Sequence, residues 1–525
     1  MQGVALLRSA EIAHRYEFRT VTLPGESVEL SLGHALGIPS LEDLDSSPAR
    51  VRPDIKEEPL TAPDYGTDIV IIGAGPAGYV AAIRAAQLGG RVVVVEKSQV
   101  GGVCLNIGCI PTKVLLACVA TLDQIKRGEE FGIKVRGFDL DIPTMMARKE
   151  RIVKQLTSGV EALFRKNKVR LVRGLARIVD PHTISVQTDG GTEQIRTRAI
   201  LIATGSIPAP LPVPGLELGG NVWTSTEALS FDRVPAKMLV IGAGAIGLEA
   251  GYTFARLGTD VLVVEMMSQI LPAADGETAR FLQKSLEKSG MRFMLDAVAT
   301  RAEDTKAGKK VWIKSGDSEV SEEFDTVLVA VGRRAVIDGI GLDEVGVRHD
   351  KRKILVNEHM QTNIPSIYAA GDCIGEPMLA HVAWTESVVA VEHAMGMDSR
   401  MHYKAYPACV YTTPECASVG LTEEKAREQH RDVRTGKFSF SHNGKALAIG
   451  EAEGFIKFVT EPRYGQILGV HMVGPHVTDL IAEAVLAMRN ELTIDEVIAT
   501  IHPHPTVSEV VQEAAMDAQG RAVHK

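Results

Sequence analysis

The stretch GGVCLNIGCIPTK, Gly101 to Lys113, places two cysteines five positions apart between glycines and a proline. A thiolate is the species that attacks a disulfide, so a close cysteine pair is a candidate redox centre. The alternative is two unlinked buried thiols, and spacing alone leaves both open. In a straight helix, residues five apart are separated by about 7.5 Å along the axis, more than the ~4.4–6.8 Å between Cα atoms that a disulfide usually spans. A bond between Cys104 and Cys109 therefore needs a loop or a distorted turn. Gly108 and Pro111 can provide one, the first by accepting unusual dihedrals and the second by removing a backbone donor.

The elements that would position such a pair come from an internal repeat. TDIVIIGAGPAGYVAAIRAAQLGGRVVVVE (Thr67 to Glu96) and KMLVIGAGAIGLEAGYTFARLGTDVLVVE (Lys237 to Glu265) share one plan: apolar strand, GxGxxG, helix, strand, terminal acid. A lone GxGxxG is weak, since glycines also mark ordinary turns. Here Gly73, Gly75 and Gly78, and again Gly242, Gly244 and Gly247, follow a strand, open a helix and precede an acid, Glu96 or Glu265. That context identifies a dinucleotide-binding βαβ unit. Its glycines admit a pyrophosphate to the backbone, the helix N-terminus offers free N–H groups, and the acid receives a ribose hydroxyl. Two copies imply two dinucleotides.

Further β-rich runs end at glycines: IRTRAILIATGS (Ile195 to Ser206), FDTVLVAVGRR (Phe324 to Arg334) and SIYAAGDC (Ser366 to Cys373). From Tyr403 the texture changes to FIKFVT, ILGVHMVG and the helical pattern VTDLIAEAVLAMRN, which predicts a separate α+β domain whose last unusual stretch is HPHPTVSE, His502 to Glu509. Before Thr67, RYEFRTVTLPGESVELSL is expected to form a small hairpin around Pro24 and Gly25, followed by a charged, Pro-rich linker.

Composition narrows the classes. The length of 525 residues predicts roughly three to four domains. A formal net charge of −9 argues against nucleic acid or an anionic membrane as the main partner. Six cysteines do not make a secreted disulfide framework. No apolar run is expected to reach the ~18 residues of a membrane helix, and MQGVALLRSAEIAHR has too short an apolar stretch for a secretory signal. A cytoplasmic location is the expectation, and no metal site is expected.

In this order along the chain, GAGPAGYVAA, GGVCLNIGCIPTK, ATGS, GAGAIGLE, YAAGDC, MLAH and HPHPTVSE resemble the flavoprotein pyridine nucleotide-disulfide oxidoreductases, and among them the branch that oxidises dihydrolipoamide. The resemblance implies an α/β fold with two Rossmann-like domains, for FAD and NAD, and a C-terminal α+β dimerisation domain. The implied boundaries are an extension at 1–66, the FAD domain at 67–208 and 334–402, the NAD domain at 209–333 and the interface domain at 403–525. By the same resemblance, Gly73, Gly75, Gly78, Glu96, Lys113, Thr204, Gly205, Asp372 and Ala380 match the FAD site, and Gly242, Gly244, Gly247, Glu265 and Gly332 the NAD side. Cys104 matches the interchange thiol, Cys109 the thiol against the flavin, and Lys113 with Glu249 an ion pair near it. His504 matches a base and Glu509 the acid that orients it, both contributed across a homodimer.

The implied reaction is oxidation of dihydrolipoamide, carried on lipoyl domains (E2 or H-protein) of 2-oxo acid dehydrogenase or glycine-cleavage complexes, with reduction of NAD⁺. The nearest alternative is an NADPH-dependent disulfide or mercuric reductase. An arginine near a 2′-phosphate would favour that alternative, but Met266 and Met267 follow Glu265, and the last cysteine is Cys416 rather than part of a C-terminal pair. The residues of HPHPTVSE also admit a plainer reading, in which Thr506 and Glu509 form a T-x-x-E capping box and the histidines are turn residues. The only lysine before Thr67 is Lys56, so the extension is not expected to be a lipoyl carrier.

Overall fold

β-Branched runs make strands that can be buried on both faces of a parallel sheet, and both repeats do so. The computed structural model describes residues 65–429 and 432–525, so the hairpin expected around Pro24 lies outside the described residues. In the first unit Ile69–Ile72 pairs in parallel with Val92–Glu96, in the register Ile69 to Val92. The five-stranded sheet runs Ile367–Ala369, Ala199–Ile202, Ile69–Ile72, Val92–Glu96, Arg170–Arg173. Its edge strand therefore arrives from far along the chain, after the whole second unit. The helix Pro76–Gln87 covers this sheet with Ala77, Gly78, Ala81, Ala82 and Ala85, small residues that permit close approach.

The second unit repeats the plan. Lys237–Ile241 pairs in parallel with Asp260–Val264, in a sheet ordered Met291–Met294, Asp260–Val264, Lys237–Ile241, Thr326–Val329, Val222–Trp223. Each unit also carries a small three-stranded antiparallel sheet, Leu175–Arg196 in the first and Ala297–Phe324 in the second. The C-terminal region forms a five-stranded antiparallel sheet, in which FIKFVT and ILGVHMVG are the neighbouring strands Phe455–Glu461 and Gln466–Gly474. Helices Val477–Arg489 and Glu509–Ala518 bury their apolar sides with it in one core.

One expectation is corrected. Gly102–Lys126 is long and apolar enough, by length and composition, to cross a membrane. Polar residues scattered among its apolar ones hide this when only uninterrupted runs are counted. Here the segment is broken at Gly108 into the helices Gly102–Ile107 and Cys109–Lys126. Leu115, Leu116, Val119 and Leu122 share a core with Leu248 and Tyr252 of the second unit's helix Ala245–Leu257 and with Val410 and Val473 of the C-terminal sheet. At ~1.5–3 kcal/mol for each large apolar side chain buried, this seam joins all three regions around the cysteine pair.

Candidate active site

The distorted turn that the cysteine spacing requires is present. Gly108 lies between the two short-range helices with φ −148° and ψ −112°, and a Cβ there would come within 2.9 Å of the Val103 carbonyl oxygen. Cys104 lies in the first helix, and Cys109 is the first residue of the second. Both are free thiols. The neighbouring Cys104 thiol, then the Lys113 ammonium, draws Cys109 down to about 7 against the desolvation that opposes it. The Cys109 sulfur and burial push the Cys104 thiol up. The Lys113 ammonium thus favours negative charge at the Cys109 end of the pair.

A cavity of about 1580 Å³ runs from this pair to both fingerprints. Gly73, Gly75 and Glu96 line it on one side, and Gly242, Gly244 and Glu265 on the other. The two acids are held alike. Glu96 accepts from Ala74 N–H and Ser98 N–H, each at 2.7 Å, and Glu265 accepts from Ala243 N–H at 2.7 Å and Met267 N–H at 2.9 Å. The third glycines do a different job: a Cβ on Gly78 would lie 1.9 Å from Gly73 O, and one on Gly247 would lie 2.0 Å from Gly242 O. They let each helix close onto its turn. The middle glycines face space, since a Cβ on Gly244 would meet nothing within 4 Å and one on Gly75 only Gly102 Cα at 3.8 Å. Helices Pro76–Gln87 and Ala245–Leu257 start there without a side-chain cap. The cradle, the uncapped N-termini and the oriented acids fit two dinucleotides.

Between the cradles, Lys113 Nζ lies 2.8 Å from Glu249 Oε2. Glu249 is buried, with 6% of its side chain exposed. Gly205, Gly332, Asp372 and Ala380 line the same cavity, Ala380 as the first residue of the helix Ala380–Ala394. Thr204 also lines it and donates to Val336 O at 2.6 Å, tying two connecting segments together.

His504 and Glu509 stand apart. His504 Nδ1 is 2.8 Å from Glu509 Oε1, but the histidine side chain is 81% exposed and outside the cavity. Within one chain the structure does not bring this pair to the cysteines. The other Glu509 oxygen accepts from Thr506 N–H at 2.9 Å. The T-x-x-E capping box does not form, because the helix Glu509–Ala518 begins at Glu509 with Ser508 as its uncapped N-cap residue, and Thr506 Oγ1 donates to Pro503 O at 2.7 Å. His502 is a different case: its buried ring meets Glu483 Oε1 at 2.9 Å, which raises its pKa.

The sequence pattern of the pyridine nucleotide-disulphide oxidoreductases matches residues 67–387, and that of their dimerisation domain matches residues 406–515. The chain belongs to this family. It is 45% identical to a dihydrolipoyl dehydrogenase of Thermus scotoductus over 87% of this chain and 98% of that protein. A dihydrolipoyl dehydrogenase of Bacillus subtilis is 42% identical over 87% of this chain and 99% of its own. Among solved structures, LpdA of Mycobacterium tuberculosis superposes with a TM-score of 0.79 at 28% identity, covering 86% of this chain and 99% of that one. The α/β fold with a C-terminal dimerisation domain is thus a family property of this chain.

Sequence reasoning missed three residues that this family member brings into the cavity. Arg333 Nε donates to Ser206 Oγ at 2.7 Å, and Arg333 Nη2 donates to Ser206 O at 2.8 Å. Ser206 Oγ in turn donates to Asp372 Oδ2. This chain of contacts orients the Asp372 carboxylate, which lies 3.9 Å from Arg333. Arg333 directly follows Gly332 and Ser206 closes the run ATGS, so their places at sheet ends were the available signal. The third, Tyr411, had none.

Proposed function

We propose that the protein oxidises dihydrolipoamide to lipoamide and reduces NAD⁺, working as a homodimer. The observation that carries this reading is the cysteine pair, with the Lys113–Glu249 ion pair beside it, opening into a cavity that ends at two dinucleotide cradles. The names of the relatives support the choice of dithiol, and the matched dimerisation domain supports the homodimer.

The first cradle, with Asp372 and Ala380, would hold FAD, and the second, with Glu265, would hold NAD. The proposed domains are 67–208 with 334–402 for FAD, 209–333 for NAD and 403–525 for the interface, with 1–66 as an appendage. Bound FAD supplies the route by which an electron pair leaves the cysteine pair and reaches NAD⁺ as a hydride.

The chain's own residues do the thiol chemistry. A substrate thiolate attacks Cys104 in the oxidised pair, forming a mixed disulfide and breaking the Cys104–Cys109 bond, so that Cys109 leaves as a thiolate. Lys113 stabilises that charge. The second substrate thiol then displaces Cys104, closing the lipoamide ring and leaving both cysteines reduced. His504 of the partner subunit, oriented by its Glu509, is proposed to take the thiol protons. Lipoyl domains are the proposed carriers of the substrate, and the cytoplasm is the proposed location.

The deciding assay compares NAD⁺ reduction by dihydrolipoamide with NADPH oxidation by glutathione disulfide or Hg²⁺. Turnover confined to the first pair is expected. Efficient use of NADPH with either acceptor would overturn the proposal.

A further inference from the structure

Tyr411 follows directly on the strand Ala408–Val410 of the C-terminal sheet, yet its ring lines the central cavity. Two contacts tie it to the ion pair. The Lys113 ammonium lies over the ring, 4.1 Å from its centroid, well inside the ~6 Å range of a cation–π contact. The Tyr411 backbone N–H donates to Glu249 Oε1 at 3.1 Å, while Glu249 Oε2 faces Lys113. A lysine has a flexible four-carbon stem and no fixed fork, so one carboxylate oxygen alone would leave its head group free to swing. The ring closes the other side. Burial pushes the Tyr411 phenol up to about 12, so the ring stays neutral beside the ammonium.

We infer that Tyr411 is a positioning residue for the redox centre, its ring face fixing the Lys113 ammonium between Glu249 and Cys109. Glu249 and Lys113 act on Cys109 in opposite directions, the carboxylate disfavouring the thiolate and the ammonium favouring it. Where the ammonium sits decides the balance. The other titratable or charged groups around Cys109 are Cys104, Tyr79 and Arg333, and those around Tyr411 are Cys409, Glu415 and Asp479. None of these holds the Lys113 head group. The C-terminal region, matched to a dimerisation domain, thereby touches the electrostatics of the cysteine pair directly.

The inference rests on Cys109 being the thiolate of the proposed reaction, but its test needs no dithiol substrate. In Cys104→Ser holoenzyme, which keeps a hydrogen-bond donor beside Cys109, the rate of alkylation by iodoacetamide is followed against pH on the Cys109 peptide. Adding Tyr411→Leu should move the midpoint up by about half a pH unit, a roughly threefold loss of rate below it. Tyr411→Phe should restore the original profile. In a Lys113→Gln background, Tyr411→Leu should have no further effect. Should the leucine variant fail to hold FAD, phenylalanines of increasing fluorination at position 411 weaken the ring's negative face at nearly constant shape, and the midpoint should climb with each fluorine. An unmoved midpoint, an equal shift without Lys113, or a flat fluorine series would overturn the inference. Loss of the proposed substrate with an intact tyrosine effect would instead strike only the proposed function.

Discussion

In the first dinucleotide unit, the loop leading to the cysteine helices folds back over the fingerprint, and a Cβ added to Gly102 would press within 2.6 Å of Gly75 Cα. In the second, the chain after Glu265 turns outward, leaving Met266 and Met267 68% and 48% exposed and open space above Gly244. The local code is the same in both, down to the two backbone N–H groups that hold each acid. What differs is the lid. A closed cradle suits a group that stays, and an open one suits a molecule that must leave after each turnover. Enclosure, a tertiary property, supports the proposed placing of FAD in the first cradle and NAD in the second.

The harshest way to break this comparison is at the third glycines, where both units are equally tight. Gly78→Val and Gly247→Val each force a side chain against a backbone oxygen already less than 2.1 Å from a bare Cβ, an overpacking that costs at least about 1–3 kcal/mol. The expected outcomes diverge: Gly78→Val yields protein without bound flavin, and Gly247→Val retains flavin absorbance but loses NADH binding. Equal loss of flavin from both would mean that the cradles are not separate sites.

A residue outside both units should leave the comparison untouched. His504→Gln is expected to slow dihydrolipoamide oxidation by the ~10²-fold typical of a lost general base, while flavin content and NADH-driven reduction of an artificial acceptor stay near wild type. Stopped-flow traces of the two half-reactions check this. A matching loss in the NADH half-reaction would place His504 inside the shared cavity, contrary to its exposure here.

At the middle glycines the lid itself can be tested. Gly244→Ala adds a methyl group to the space a pyrophosphate would use, and a rise of about tenfold in KM for NAD⁺, ~1.4 kcal/mol, is expected with flavin retained. Steady-state kinetics with unchanged flavin content would support an open, exchangeable second site; a KM equal to wild type would mean that the nucleotide lies elsewhere.

How far these differences could be read from sequence follows from their range. The fingerprints, the acids and the strands between them are short-range patterns, and each formed where the pattern stood. The break at Gly108 was legible only on the reading that the two cysteines bond, since a disulfide at this spacing does not fit a straight helix. The Ser206–Arg333–Asp372 contacts and the Lys113–Glu249–Tyr411 cluster were not readable from residue types and spacing, since each joins segments tens to hundreds of residues apart, and no local periodicity marks such meetings. HPHPTVSE was legible in its parts but not in its outcome, because the helix starts at Glu509 rather than after Thr506, and the two Glu509 oxygens hold His504 and the Thr506 N–H instead of closing a capping box.

The smallest expected effect crosses from one unit to the other. Glu249 belongs to the helix of the second unit and Cys109 to the helix of the first, and the carboxylate disfavours the thiolate. Because Cys109 sits low, at about 7, its thiolate is present above that pH and is lost as pH falls through it. Glu249→Gln removes the opposing charge and keeps a hydrogen-bonding oxygen, so the thiolate should persist to lower pH. Glu249 ranks last among the influences on Cys109, which limits the expected shift to a fraction of a pH unit. Alkylation profiles in the Cys104→Ser background read it directly. Two effects compete in this variant, since the glutamine also holds Lys113 less firmly than the carboxylate did. A lower midpoint means that the charge of Glu249 acts on Cys109 across the junction. A higher midpoint means that Glu249 acts by holding the ammonium in place, and the coupling between the units is then mechanical rather than electrostatic.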